Sequence, residues 1–348
     1  MAGLVCAARA RELGAAPVVF EKGDRPGGSM LLSSCVIWRY RTLEEFRAEC
    51  PGGDPVLQRL IVERLDEALV WLEGLGAPVI RRETGNPRTT GMRFDPPGLT
   101  AALVRVAGDV RLGEPADDHP DGPLVLATGG FAAGSDLVCR HITTEPVALR
   151  ANPWSTGDGL RIGSARGGAL TAGMGEFYGR NMADTAFGEA DYVPLAQLYA
   201  SRATVVDMHG EPFLTGEPTW SETDVVQTTA RRPGARAWYL LSEAALAGED
   251  VRLRVEAARA AGAPVVAARD LPFPAPPGTH LGVRVRAAIT HTMGGLRVDE
   301  RARVLREDGE PVDGLYAAGV DAGGVSTGGY ASGLAQALVL GLAAADDT

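Results

Sequence analysis

The hydrophobic pattern alternates between helical and strand periods, which implies a mixed α/β fold. Residues 2–14 carry an alanine-rich helical pattern that ends at Gly14, a natural C-terminal stop. Pro17-Val18-Val19-Phe20 is a short apolar run closed by Glu21 and predicts a buried strand. Over 23–34 the sequence Pro26-Gly27-Gly28-Ser29 breaks any period and predicts a loop. An apolar face returns over 43–75 at Leu60, Ile61, Leu65, Leu69, Val70, Leu72 and Leu75, predicting a helix. Another helix is expected over 99–106, and a second buried strand over 123–128, followed at once by Gly129-Gly130.

From about 132 to 277 the pattern mixes helices, loops and short strands such as 203–207 and 237–241. The segment 271–278 holds four prolines and reads as a hinge out of that region. Strand patterns at 283–289 and 314–318 then lead into a glycine-rich run and a closing helix over 334–345. The organisation is one glycine-rich α/β lobe in two parts, 1–134 and 278–348, interrupted by an inserted α+β lobe over 135–277.

Composition narrows the chemistry. The 45 glycines fall in short clusters, as they do where backbone must approach a ligand closely. A net charge of −10 argues against a nucleic-acid or anionic-membrane partner, because those contacts are built from Lys and Arg. Cys6, Cys35, Cys50 and Cys139 lie far apart with no C-x-x-C pair, so neither a metal site nor a disulfide framework is expected. No apolar run reaches the length of a membrane span, and the expectation is a cytoplasmic protein.

A dinucleotide site needs a strand, a tight glycine turn, a helix pointing its N-terminus at the pyrophosphate, and an acid about twenty residues on that takes the adenosine ribose hydroxyl. Here Gly3 precedes the first helical run, and Glu21 ends the strand that follows it. With Gly3 as the last glycine of G-x-G-x-x-G, the spacing of Glu21 fits. The fold would then begin one strand late, with its first strand missing.

Glu21-Lys22, Arg25-Pro26-Gly27-Gly28-Ser29 and Ser33-Ser34-Cys35-Val36 together resemble the second strand and loop of the FAD-dependent fumarate reductase/succinate dehydrogenase flavoproteins. Further stretches match that superfamily in order. These are Leu124-Val125-Leu126-Ala127-Thr128-Gly129-Gly130-Phe131, Asn152 with Ser155-Thr156-Gly157-Asp158-Gly159, His291-Thr292-Met293-Gly294-Gly295, and Gly314-Leu315-Tyr316-Ala317-Ala318-Gly319. The resemblance spans nearly the whole chain. It implies a glutathione-reductase-type, Rossmann-like FAD domain lacking its first strand, with an inserted capping domain. It also implies cofactor contacts at Gly3, Glu21, Lys22, Gly27, Gly28, Ser29, Ser33, Ser34, Ala127, Thr128, Gly129, Thr156, Gly157, Asp158, Gly319, Ser332 and Leu334.

Within that superfamily the active site divides. Fumarate reductases place a histidine where His291 stands and add two arginines, one as proton donor and one as carboxylate clamp. Here Tyr330 occupies the clamp position, and the stretch 213–224, where the inserted-lobe arginine belongs, contains none. The bidentate pairing a dicarboxylate needs is then absent. Gly329-Tyr330-Ala331-Ser332-Gly333-Leu334 resembles instead the ketosteroid dehydrogenase branch, in which a tyrosine hydroxyl and a backbone N–H, here that of Gly333, polarise a ketone. The resemblance implies an oxidoreductase acting on a C–C bond beside a ketone, with catalytic Tyr330, His291 and Gly333 and an unidentified electron acceptor. Tyr178, Tyr199, Tyr239 and His291 stay open as the base. A fumarate reductase-like enzyme on a small polycarboxylate and a degenerate flavin-binding protein without turnover stay open as alternatives.

Overall fold

The computed structural model describes residues 1–115 and 122–348. In chain order its first part runs α1 (Ala2–Glu12), β1 (Val18–Glu21), β2 (Val36–Tyr40), α2 (Leu43–Glu49), α3 (Pro55–Gly74), β3 (Val79–Arg81), β4 (Thr89–Phe94), α4 (Pro96–Ala107), β5 (Asp109–Leu112) and β6 (Leu124–Leu126). The middle holds α5 (Ser135–His141), β7 (Ala148–Leu149), α6 (Asp158–Ala165), β8 (Phe177–Ala183), β9 (Thr204–Val206), α7 (Thr223–Ala230), β10 (Arg236–Leu241), α8 (Glu243–Leu246), α9 (Glu249–Ala260) and β11 (Val265–Ala267). It closes with β12 (Leu281–Thr292), β13 (Arg303–Leu305), β14 (Pro311–Ala317) and α10 (Gly333–Asp347).

The chain divides into two compact units. The first comprises Met1–Leu137, Ala151–Glu176 and His291–Thr348. Its parallel pairs are β1 with β5 and β6 with β14, and no described strand bridges β1 and β6. Helix α10 is buried nearly all round, from Ala335 to Ala345, as its lack of any polar face requires. It packs on α1 at close range, since a Cβ on Gly341 would stand 2.9 Å from the Ala2 carbonyl oxygen. An antiparallel sheet of order β2-β4-β3 adds to this unit.

The second unit comprises Val138–Arg150 and Phe177–Thr290. Its sheet runs β11-β12-β10-β9, with β7 and β8 also pairing with β12. Alternate residues Ala237, Tyr239 and Leu241 of β10 face a core shared with Val251, Val255 and Ala258 of α9.

Three expectations shift. The helix over 43–75 is two helices, because Pro51-Gly52-Gly53 interrupts it and Asp54 caps α3, accepting from the Val56 and Leu57 N–H groups. The inserted lobe does not run unbroken over 135–277: residues 151–176 belong to the first unit. The return to that unit comes at His291 rather than 278, because β12 continues past its ladder with β10 and β11 to pair with β7 at Ala288 and Ile289. The sheet β2-β4-β3 had no counterpart in the expected pattern.

Candidate functional site

Three groups of the expected residues gather within the first unit. At the end of β1, the Glu21 carboxylate accepts the Gly23 N–H at 2.8 Å. Lys22 reaches across to the Thr156 hydroxyl at 2.5 Å and the Asp158 carboxylate at 2.6 Å. Gly157 caps α6 with φ of 93°, a left-handed conformation that glycine adopts without strain. Gly27 and Gly28 also have positive φ, 107° and 55°, and the Ser29 hydroxyl accepts the Asn152 N–H at 3.1 Å. Two loops expected to contact the cofactor, the one after β1 and the one before α6, are thus tied to each other.

The second group is the turn after β6. Here the Asp321 carboxylate, fully buried, accepts from the Thr128, Gly129 and Gly130 N–H groups and from the Thr128 hydroxyl. No local pattern in the sequence marks Asp321, although it stands two residues after Gly319. Burial pushes its carboxyl above the usual range, and the four donors pull in the opposite direction. The start of α1 meets this region closely: a Cβ on Gly3 would stand 3.4 Å from the Ala127 Cβ, and one on Gly319 would stand 3.1 Å from the Ala2 Cβ.

The third group is built around the start of α10. Ser332 caps the helix by accepting the Ala335 N–H at 3.2 Å, leaving Gly333 in the first turn, where helix geometry gives an N–H no intrahelical partner. A Cβ on Gly333 would stand 3.2 Å from His291 Cε1, so glycine lets the imidazole close on the helix start. Tyr330 is fixed from behind: its carbonyl accepts the Tyr40 hydroxyl at 2.6 Å, and its ring lies edge-on to Trp38 at 5.4 Å. His291 keeps some exposed surface, yet desolvation lowers its pKa to about 4. The ring is therefore neutral at physiological pH.

Elsewhere the expected residues do local work. The Ser33 hydroxyl donates to the Met30 carbonyl at 2.8 Å and accepts the Cys35 N–H at 2.9 Å, and the Ser34 carbonyl accepts from Arg93 at 3.1 Å. Leu334 is half-buried on α10. Cys6, Cys35 and Cys50 are free, buried thiols pushed up to about 12 by desolvation, hence inert.

In the second unit, Tyr199 and Tyr239 are core residues. Their rings meet edge-on at 5.6 Å, and their hydroxyls bond Gln197 at 2.7 Å and Asn181 at 3.0 Å. Burial pushes both phenols upward, which keeps them protonated and unavailable to accept a proton. Beside them lies a cluster the sequence did not reveal. Glu222, buried with φ of 53°, stands at the N-cap position of α7, and its carboxylate turns away from the helix to accept the Ala200 N–H at 2.7 Å. Desolvation raises it to about 7, against the pull of that N–H and of Arg180 and Arg254. Arg180, on β8, donates to the Ser221 carbonyl, so a guanidinium does stand beside the stretch that carries no arginine of its own.

An acid-ended strand beside left-handed glycine turns, with a helix start closing on the same unit, defines a dinucleotide-binding flavoprotein. The residues fit FAD: Glu21 offers a carboxylate, the glycine turns leave room for the pyrophosphate, and Thr292 Oγ1, beside Gly130, is buried with no hydrogen-bond partner. The chain belongs to the FAD binding domain family, matched over residues 119–334, and FAD is the cofactor of that family. Residues 1–34 match the NAD(P)-binding Rossmann-like domain family.

Among curated proteins, an NADH:acrylate oxidoreductase of Vibrio harveyi is 25% identical over 58% of this chain and 24% of its own length. The chain thus spans about a quarter of that relative. A "Probable fumarate reductase" of Shewanella frigidimarina is 22% identical over 91% of this chain and 68% of its own length. Among solved structures, the 3-ketosteroid Δ1-dehydrogenase of Sterolibacterium denitrificans shares the fold with a TM-score of 0.73 at 15% identity, covering 99% of this chain and 97% of that one. A flavocytochrome c3 fumarate reductase gives 0.72 at 21% identity, covering 99% and 76%. No helix among the described residues is long and apolar enough to cross a membrane.

Proposed function

We propose that the chain is an FAD-dependent oxidoreductase that oxidises or reduces a carbon–carbon bond next to a ketone, with a steroid-like or other apolar cyclic ketone as substrate. The observation that carries this reading is Tyr330, a phenol held by Trp38 and Tyr40 in the stretch where the sequence resemblance expects a carboxylate-clamping arginine. A phenol and the Gly333 N–H can share the charge that builds on a ketone oxygen when the neighbouring C–H bond loses its proton. FAD, when bound, accepts or supplies the hydride of the adjacent C–H bond. Glu21, the glycine turns at 27–28 and 129–130, and Thr156 to Asp158 would hold it.

His291 contributes as a neutral hydrogen-bonding group beside Gly333, since a site pKa of about 4 makes it a weak base at physiological pH. The base is then a group other than the buried Tyr199 and Tyr239.

One observation favours a second reading. The second unit holds a guanidinium, that of Arg180 at the Ser221 carbonyl, beside a stretch with no arginine of its own, and a small polycarboxylate calls for a cation of that kind. Anaerobic titration of the flavin-loaded protein separates the two. Bleaching by 3-ketosteroids and none by succinate supports the ketone reading; bleaching by succinate alone rejects it.

A further inference from the structure

The cofactor contacts above leave one prominent side chain without a role. Trp154 is 40% exposed and sits in the segment leading to Thr156-Gly157-Asp158. A single exposed apolar side chain calls for no explanation. This one is tethered, however. The pyrrole edge of its indole lies over Gly23, where a Cβ would stand 2.6 Å from Cδ1 and 2.8 Å from Nε1. Glu21 Oε1 is 3.1 Å from that same point, so indole and carboxylate are immediate neighbours.

The φ of Gly23 is not in the left-handed region, so its need for glycine is one of space: any side chain would push the indole off the strand end. The loop carrying the indole is held at both sides. Asn152 accepts the Trp154 N–H at 3.2 Å through its side chain and donates its own N–H to Ser29 at 3.1 Å. Lys22 ties the following turn through Thr156 and Asp158. An aromatic ring is thus fixed at low entropic cost beside the carboxylate assigned to the ribose, with much of its surface open.

We propose that Trp154 is the adenine platform of the cofactor site, its indole packing against the base whose ribose Glu21 binds. The proposal rests on the FAD reading. Every base offers a π face, and removal of an aromatic partner costs a base-binding site about tenfold in affinity or more.

The test uses the full chain as wild type, Trp154→Phe and Trp154→Ala, titrated with FAD and separately with ADP while protein fluorescence is followed. Circular dichroism checks that the variants fold. Both ligands are expected to quench a component of the wild-type tryptophan emission that is missing from the phenylalanine variant. Kd for both should rise about tenfold in the alanine variant, and the phenylalanine variant should recover most of the loss. Wild-type binding of FAD with the same Kd in all three proteins overturns the platform while leaving the FAD reading intact. Wild type that binds neither FAD nor ADP overturns both.

Discussion

His291 shows how far one residue's surroundings set its chemistry. Its pKa, about 4 against 6.5 for the free side chain, is lowered by desolvation, so the unfolded chain binds the proton more readily than the native one. Between these values the unfolded state carries more protons, and stability falls as pH drops through the window. At pH 5 the loss, discounted for the exposure the residue retains, is about 1–2 kcal/mol relative to pH 7. His291→Gln should remove this part of the pH dependence, read as the difference in urea midpoint between pH 5 and pH 7 for variant and wild type. An unchanged difference would contradict the enclosed, neutral imidazole. The sequence made His291 conspicuous through its flanking Thr292-Met293-Gly294-Gly295, whereas the contact with Gly333 joins residues 42 positions apart and needed the fold.

At the scale of elements, the start of α7 is the informative place. A glutamate in a left-handed conformation is an uncommon helix cap, and Glu222 is buried there with its pKa raised to about 7. A raised carboxyl favours the folded state fully below the unfolded value near 4.5 and loses that contribution as pH rises through 7. Glu222→Gln keeps an acceptor for the Ala200 N–H and removes the ionisation, so it should be more stable than wild type at pH 8 by about 2–3 kcal/mol, with the gap closing by pH 5. Equal urea midpoints at pH 8 would contradict the burial argument.

Elements with an unbroken period were legible: α1, β1, β6, β10 and α10 fall close to where apolar spacing puts them. The sheet β2-β4-β3 was not, because Thr89-Thr90-Gly91-Met92 lies among prolines and glycines that mask its alternation. The Arg180 guanidinium at Ser221 escaped for a different reason. The stretch 213–224 contains no arginine, while the fold brings one to Ser221 from β8, some forty residues earlier.

For the whole molecule, interleaving is the main lesson. Each unit is assembled from separated stretches of chain, so no single segment marks a boundary by composition alone. The ordered motifs from Gly3 onward still carried the family and its cofactor, since glycine turns and strand-ending acids are local signals. Substrate choice was not local. Fold likeness to both ketosteroid dehydrogenases and fumarate reductases leaves that choice to the site's own chemistry.

The most direct test of the ketone reading is rapid mixing of the FAD-loaded protein with a 3-ketosteroid without oxygen, following flavin reduction in a single turnover for wild type and Tyr330→Phe. The phenol's loss should slow reduction by about 10²–10³-fold with little change in flavin binding. Equal rates in the two proteins, or a reduced flavin that fumarate reoxidises while every ketone and enone leaves it untouched, would contradict the account.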